Sequence, residues 1–145
     1  MKIDFPNRDW YLASKSERNP PFNSYTFRWN SEEDSEEKRA EVWVYIKDIE
    51  KTGNVFTLVA ADRVMADVNR IEELFTKESG LINLDNAIAY KIKPSKGRFD
   101  IDHETYAIYT IREGMGIVFY LTFTSNIKTK IIPQILIIMK SIRVD

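Results

Sequence analysis

The chain has 145 residues, of which 43% are apolar and 30% charged, with a formal net charge of -1 and no cysteine. A domain of this size buries roughly two-thirds of its unfolded surface, so a real core forms without covalent staples. The charge balance leaves no general pull toward nucleic acid or anionic lipid, and the missing thiols exclude disulfides, thiolate catalysis and cysteine-ligated metal sites.

No apolar run follows Met1, so no signal peptide is expected in the chain as given. A native Met1 would make the domain cytoplasmic. A Met1 appended to a mature lipoprotein domain would place it in the cell envelope, with peripheral membrane association through a removed lipidated N-terminus. Turn residues at Pro6 and Asn7 precede a short strand through Trp10 and Leu12, and Asn19, Pro20 and Pro21 make a loop. Tyr25, Phe27 and Trp29 then alternate with Ser24, Thr26 and Arg28, the period of a strand with one buried face. The acid-rich run from Glu32 to Glu41 has nothing from which to build a core and reads as a solvated loop. It lacks the glycine turn of an EF-hand calcium loop.

The next strand, through Val42, Val44 and Ile46 on one side and Trp43 and Tyr45 on the other, is apolar on both faces, as a central strand covered twice would be. Gly53 and Asn54 turn the chain. Residues 55–61 fit either a strand or the start of a helix. From Asp62 the stripe Val64, Val68, Ile71, Leu74 and Phe75 predicts a helix ended by Gly80. Three strands follow at about 86–92, 105–111 and 116–124. The first two are separated by a break at residues 94–97, the last two by a hairpin at residues 112–116. In the last strand Ile117, Phe119, Leu121 and Phe123 share one face.

The chain closes on a nearly continuous apolar run from Ile131 to Met139. A membrane span needs about 20 such residues. At helical spacing Ile131, Ile132, Ile135, Leu136, Ile138, Met139 and Ile142 fall on one broad face, which predicts an amphipathic helix lying on a core. Pro133 suits only a first turn, so the helix is expected to begin near Ile131 or Ile132. Ile137 points into the polar half, as a lone exposed isoleucine or as part of a contact patch. Together the elements predict one α+β domain: an antiparallel sheet of about six strands flanked by two main helices.

Ala89-Tyr90, the run Tyr120-Leu121-Thr122-Phe123-Thr124 and the closing Ser141-Ile142-Arg143 resemble the carboxy-terminal half of the PsbP-like superfamily. The opening from Pro6 to Trp10 is similar to that superfamily's first strand. Its members include the extrinsic photosystem II protein PsbP, a Ran-binding nuclear import factor and many bacterial envelope lipoproteins. The resemblance implies a binding or assembly module with an unidentified protein partner, no cofactor and no shared catalytic residues.

His103 is the single histidine, and Asp100, Asp102 and Glu104 surround it in sequence. That grouping invites a metal-dependent or hydrolytic reading, but neighbouring residues of a strand point to opposite faces. No Gly-x-Ser-x-Gly elbow and no phosphate-binding glycine loop occurs. Trp43, Tyr45, Tyr109 and Tyr120 all fall on central strands, some opposite the main core face. They form either a second covered face or an open aromatic groove. The expected function is a non-catalytic binding or accessory domain, with Trp43, Tyr45, Tyr109, Tyr120 and Ile137 as candidate contact residues. The alternatives are a small-ligand carrier and a small hydrolase or metal-dependent enzyme centred on His103.

Overall fold

A computed structural model describes residues 1–18, 22–30, 36–49, 53–62 and 70–144, the side chain of Arg98 excepted. Within the described residues seven strands and two α-helices follow one another as β1 (Trp10–Ser16), β2 (Phe22–Trp29), β3 (Ala40–Asp48), α1 (Val55–Ala61), β4 (Ile71–Phe75), β5 (Ala87–Lys96), β6 (Asp102–Arg112), β7 (Met115–Thr124) and α2 (Lys128–Ser141). The sheet has the order β1-β2-β3-β7-β6-β5-β4, and every pair is antiparallel. Two meanders, β1 to β3 and β4 to β7, are therefore joined along β3 and β7. The chain between β3 and β4 has to cross to the far edge of the sheet, and α1 forms on that crossing.

The alternation in β3 and β7 sorts the side chains into two layers. On the inner face Val42, Val44, Phe119, Leu121 and Phe123 are all wholly buried. They meet α2, whose Ile131, Ile135, Ile138 and Met139 recur at helical spacing and are each 0% exposed. Each such side chain contributes about 1.5–3 kcal/mol by leaving water. The outer face carries a smaller cluster in which Val55 and Leu58 of α1 pack on Ala107, Tyr109 and Val118. The closing segment is thus a helix lying on the sheet. No helix among the described residues is long and apolar enough to cross a membrane.

Several expectations need correction. The helix predicted from Asp62 to Gly80 is not formed across residues 70–80. Ile71–Phe75 is the edge strand β4, paired with β5, and Lys77–Ser79 is a single 3-10 turn that Gly80 ends at φ 78°. Ile71, Leu74 and Phe75 have helical spacing, but the ladder with β5 overrides it. Val64 and Val68 lie outside the described residues, as do 19–21 and the acidic positions 32–34. Among the described residues of this crossing the α-helix is α1, earlier and seven residues long, with the Asn54 side chain accepting from the Thr57 N–H at its start. Strand β5 does not stop before Pro94. It continues to Lys96 through a bulge between Ile92 and Ser95, a place where the missing proline N–H is not needed. Helix α2 begins at Lys128, three residues before the expected start, with the exposed Pro133 in its second turn rather than its first.

The hairpin at residues 112–116 forms as expected. Arg112 pairs with Met115, and Glu113 and Gly114 make the two-residue turn with φ of 51° and 78°. Both values are positive, as in a type I′ turn, whose twist matches that of the flanking strands.

Candidate functional site

The register of the central strands builds the outer face. Tyr45, Trp43 and Glu41 of β3 stand opposite Val118, Tyr120 and Thr122 of β7, and these stand opposite Tyr109, Ala107 and Thr105 of β6. Thr124 and His103 continue the same rows. Helix α1 covers the end nearest Val118, so Tyr109 is 0% exposed. Its phenol donates to Asp62 Oδ2 at 2.7 Å, and the Tyr120 hydroxyl donates to the same oxygen. Asp62 directly follows α1, so two tyrosines tie the end of that helix to the sheet. Burial, then the hydrogen bond to Asp62 and its negative charge, push the Tyr109 phenol far above the ordinary tyrosine range. Burial, aided by Asp62, raises Tyr45 as well.

Beyond the roof of α1 the aromatics come to the surface. Tyr45 meets Tyr120 at 5.8 Å and Trp43 at 6.5 Å, each edge to face, the arrangement favoured by the ring quadrupoles. Trp43, at the outer end of this row, is 37% exposed, whereas Trp10 and Trp29 are 7% and 6%. Three of the predicted contact residues, Trp43, Tyr45 and Tyr120, are therefore contiguous. Tyr109 supports them from beneath the helix and offers no surface of its own. Ile137 is 52% exposed on α2, which covers the opposite side of the sheet, so it belongs to a different surface.

Depressions flank Trp43 on both sides. One, of about 230 Å³, lies between Trp43, Tyr45 and Tyr120 and the rim residues Phe22 and Lys47. The other, of about 350 Å³, is walled by Glu36, Arg39, Glu41, Trp43, Thr122 and His103. His103 is held in place there. Its Nδ1 lies 3.0 Å from the Ile101 carbonyl, which also accepts from the Gly97 N–H at 2.9 Å. A carbonyl oxygen can only accept, so Nδ1 carries a proton and the neutral ring keeps its lone pair on Nε2. Gly97 lies against the ring: a Cβ at that position would meet the imidazole at 2.3 Å.

No family model matches this chain, and no characterised protein or solved structure matches it.

The acidic neighbours of His103 do not converge with it. Asp102 pairs with Lys96 at 3.4 Å. Glu104 faces the inner layer, 2% exposed, between Lys128 at 3.4 Å and Lys91 at 3.8 Å, and accepts from the Ser125 hydroxyl at 2.9 Å. That buried carboxylate secures the first turn of α2 to the sheet. Among the described residues no group of three histidine, aspartate or glutamate side chains is arranged to hold a metal ion. Sequence reading missed Glu41 and Arg39, which share the depression with His103, and Gly97, which lies against its ring, because β7 and the β5–β6 turn bring them together. Period-two alternation in β3 was the available signal for Glu41, since it puts that residue on the Trp43 face.

Proposed function

We propose that this chain is a non-catalytic binding or accessory domain that docks a protein partner on the aromatic strip of its outer face. One observation carries the reading. The chain buries two of its three tryptophans in the inner layer and leaves Trp43 open on a central strand, between two depressions. Large rigid aromatics beside pockets are what interface hot spots are made of. The resemblance to PsbP-like domains supports the same class of function. In a lipidated precursor the strip would serve an assembly at a membrane surface.

Two measurements test the proposal. Trp10 and Trp29 are buried, so acrylamide should quench one tryptophan component, and a Trp43→Phe variant should lack it. A partner co-purifying from the native host should be lost with Trp43→Asp and retained with Ile137→Asp. A partner indifferent to Trp43→Asp, or a Trp43 shielded from quencher, would refute the docking face. Substrate turnover by the purified chain that disappears with His103→Ala would replace the proposal with the enzymatic reading.

A further inference from the structure

We infer that the cleft between His103 and Trp43 receives a protonated amine or guanidinium on an apolar stem, the chemistry of a lysine or arginine side chain presented by the partner. The inference rests on the docking reading above and names what one of its two depressions would take.

The side chains around the cleft leave hydrogen-bonding capacity unused. The guanidinium groups around it are already directed at carboxylates. Arg28 Nε and Nη2 both donate to Glu41 Oε2, at 3.4 and 3.2 Å, and Arg39 Nη1 lies 3.8 Å from Glu36 Oε1. Both bonds from Arg28 fall on the same oxygen, so Glu41 Oε1 still has its lone pairs for another donor. The His103 ring, with Nδ1–H committed to the Ile101 carbonyl, offers Nε2 as an acceptor alone. Thr122 Oγ1 accepts from the Thr105 hydroxyl at 3.1 Å, and its own O–H makes no hydrogen bond to Glu41 or to His103. The fourth wall is the exposed ring of Trp43, whose π-face attracts cations more strongly than that of any other aromatic side chain.

Two unspent acceptors and an indole face therefore border one space of about 350 Å³. An anion would be repelled by Glu41 and would meet Arg39 already shared with Glu36, with only the neutral Thr122 O–H left to donate. A neutral apolar group would gain the indole and leave both acceptors unsatisfied. A cation with N–H donors uses all three.

His103 is the only histidine, so its ring proton resonances report on the cleft without assignment ambiguity. The wild-type chain is titrated with Nα-acetyl-lysine amide and Nα-acetyl-arginine amide. The controls are the neutral Nα-acetyl-norleucine amide and the anionic Nα-acetyl-glutamic acid amide. The His103 ring and the Trp43 indole N–H are followed together. The expected result is saturable shifts of both residues by the two cations, with Kd on the order of 1 mM for an isolated side chain, and about tenfold weaker response to norleucine. Glu41→Gln, which keeps the shape of the wall, should cost the cations about tenfold and leave norleucine unchanged. Equal binding of norleucine, preference for the glutamate probe, or no saturable shift with any probe would overturn the cation inference. None of these results removes the docking face, which has its own tests in the partner's response to Trp43→Asp and in the quenching of Trp43.

Discussion

At the scale of single residues the outer face depends on side chains whose polar ends are consumed by one another. Tyr109 is the clearest case, a wholly buried phenol anchored on Asp62. Tyr109→Phe leaves that carboxylate with one donor fewer and should cost about 1–3 kcal/mol in urea denaturation at neutral pH. The pH dependence has a definite sign. The folded phenol holds its proton more tightly than an unfolded tyrosine, whose pKa is about 10. Its contribution is complete below about pH 10. Above that, the unfolded chain releases a proton that the folded chain keeps, and stability falls by up to about 1.4 kcal/mol per pH unit. The gap between wild type and Tyr109→Phe should therefore narrow as denaturation is repeated from pH 9 to pH 11; a constant gap would mean that Tyr109 is not held in this way. The exposed position of Trp43 was half legible in the sequence: alternation in β3 separates it from the core, but only the place where α1 lands decides which aromatics stay open. That Glu41 and His103 line one depression was not legible, because it depends on the pairings Glu41–Thr122 and His103–Thr124 on an intervening strand.

At the scale of elements, the strongly periodic ones and the short β1 were read correctly, and β4 was not. β7 and α2 carry long regular patterns, so their buried faces followed from the residues. β4 has five residues and a bulge, and its spacing imitates a helix. It is also the strand that brings the sheet from the six expected to the seven found. Both edge strands, β1 and β4, contain a register shift, which disrupts the row of free backbone groups that would otherwise invite a further strand. The β6–β7 turn leaves stability unclaimed. Glu113 adopts φ 51°, a conformation that costs most side chains energy and that asparagine tolerates well. Its ion pair with Arg112, at 3.9 Å and largely exposed, contributes little. Glu113→Asn should raise stability by about 0.5–1 kcal/mol, seen as a Tm higher by about 2–4 °C; an unchanged or lower Tm would show that the turn is not under this strain.

At the scale of the whole molecule, the layers were legible and the path of the chain was not. Composition and periodicity dictate a sheet with helices against it, but the crossing from β3 to β4 is set by which strands pair over long range. The start of the chain also acts at this scale. Lys2 and Arg143 exchange two backbone hydrogen bonds, the Asp4 N–H donates to the Ser141 hydroxyl, and Phe5 stacks on Trp10 and packs at a tilt against Phe27. The first residues are thereby strapped along the end of α2. Deleting residues 1–8 should cost on the order of 2–4 kcal/mol, whereas frayed termini are normally dispensable; calorimetry showing no loss would remove the strap from the account. The pairing of Lys2 with Arg143 also leaves the two extremities side by side, separated by no more than neighbouring strands in a ladder. A host protein could take up this unit within a surface loop without stretching that loop, and the aromatic strip would then be displayed on a scaffold whose two attachment points hold each other closed.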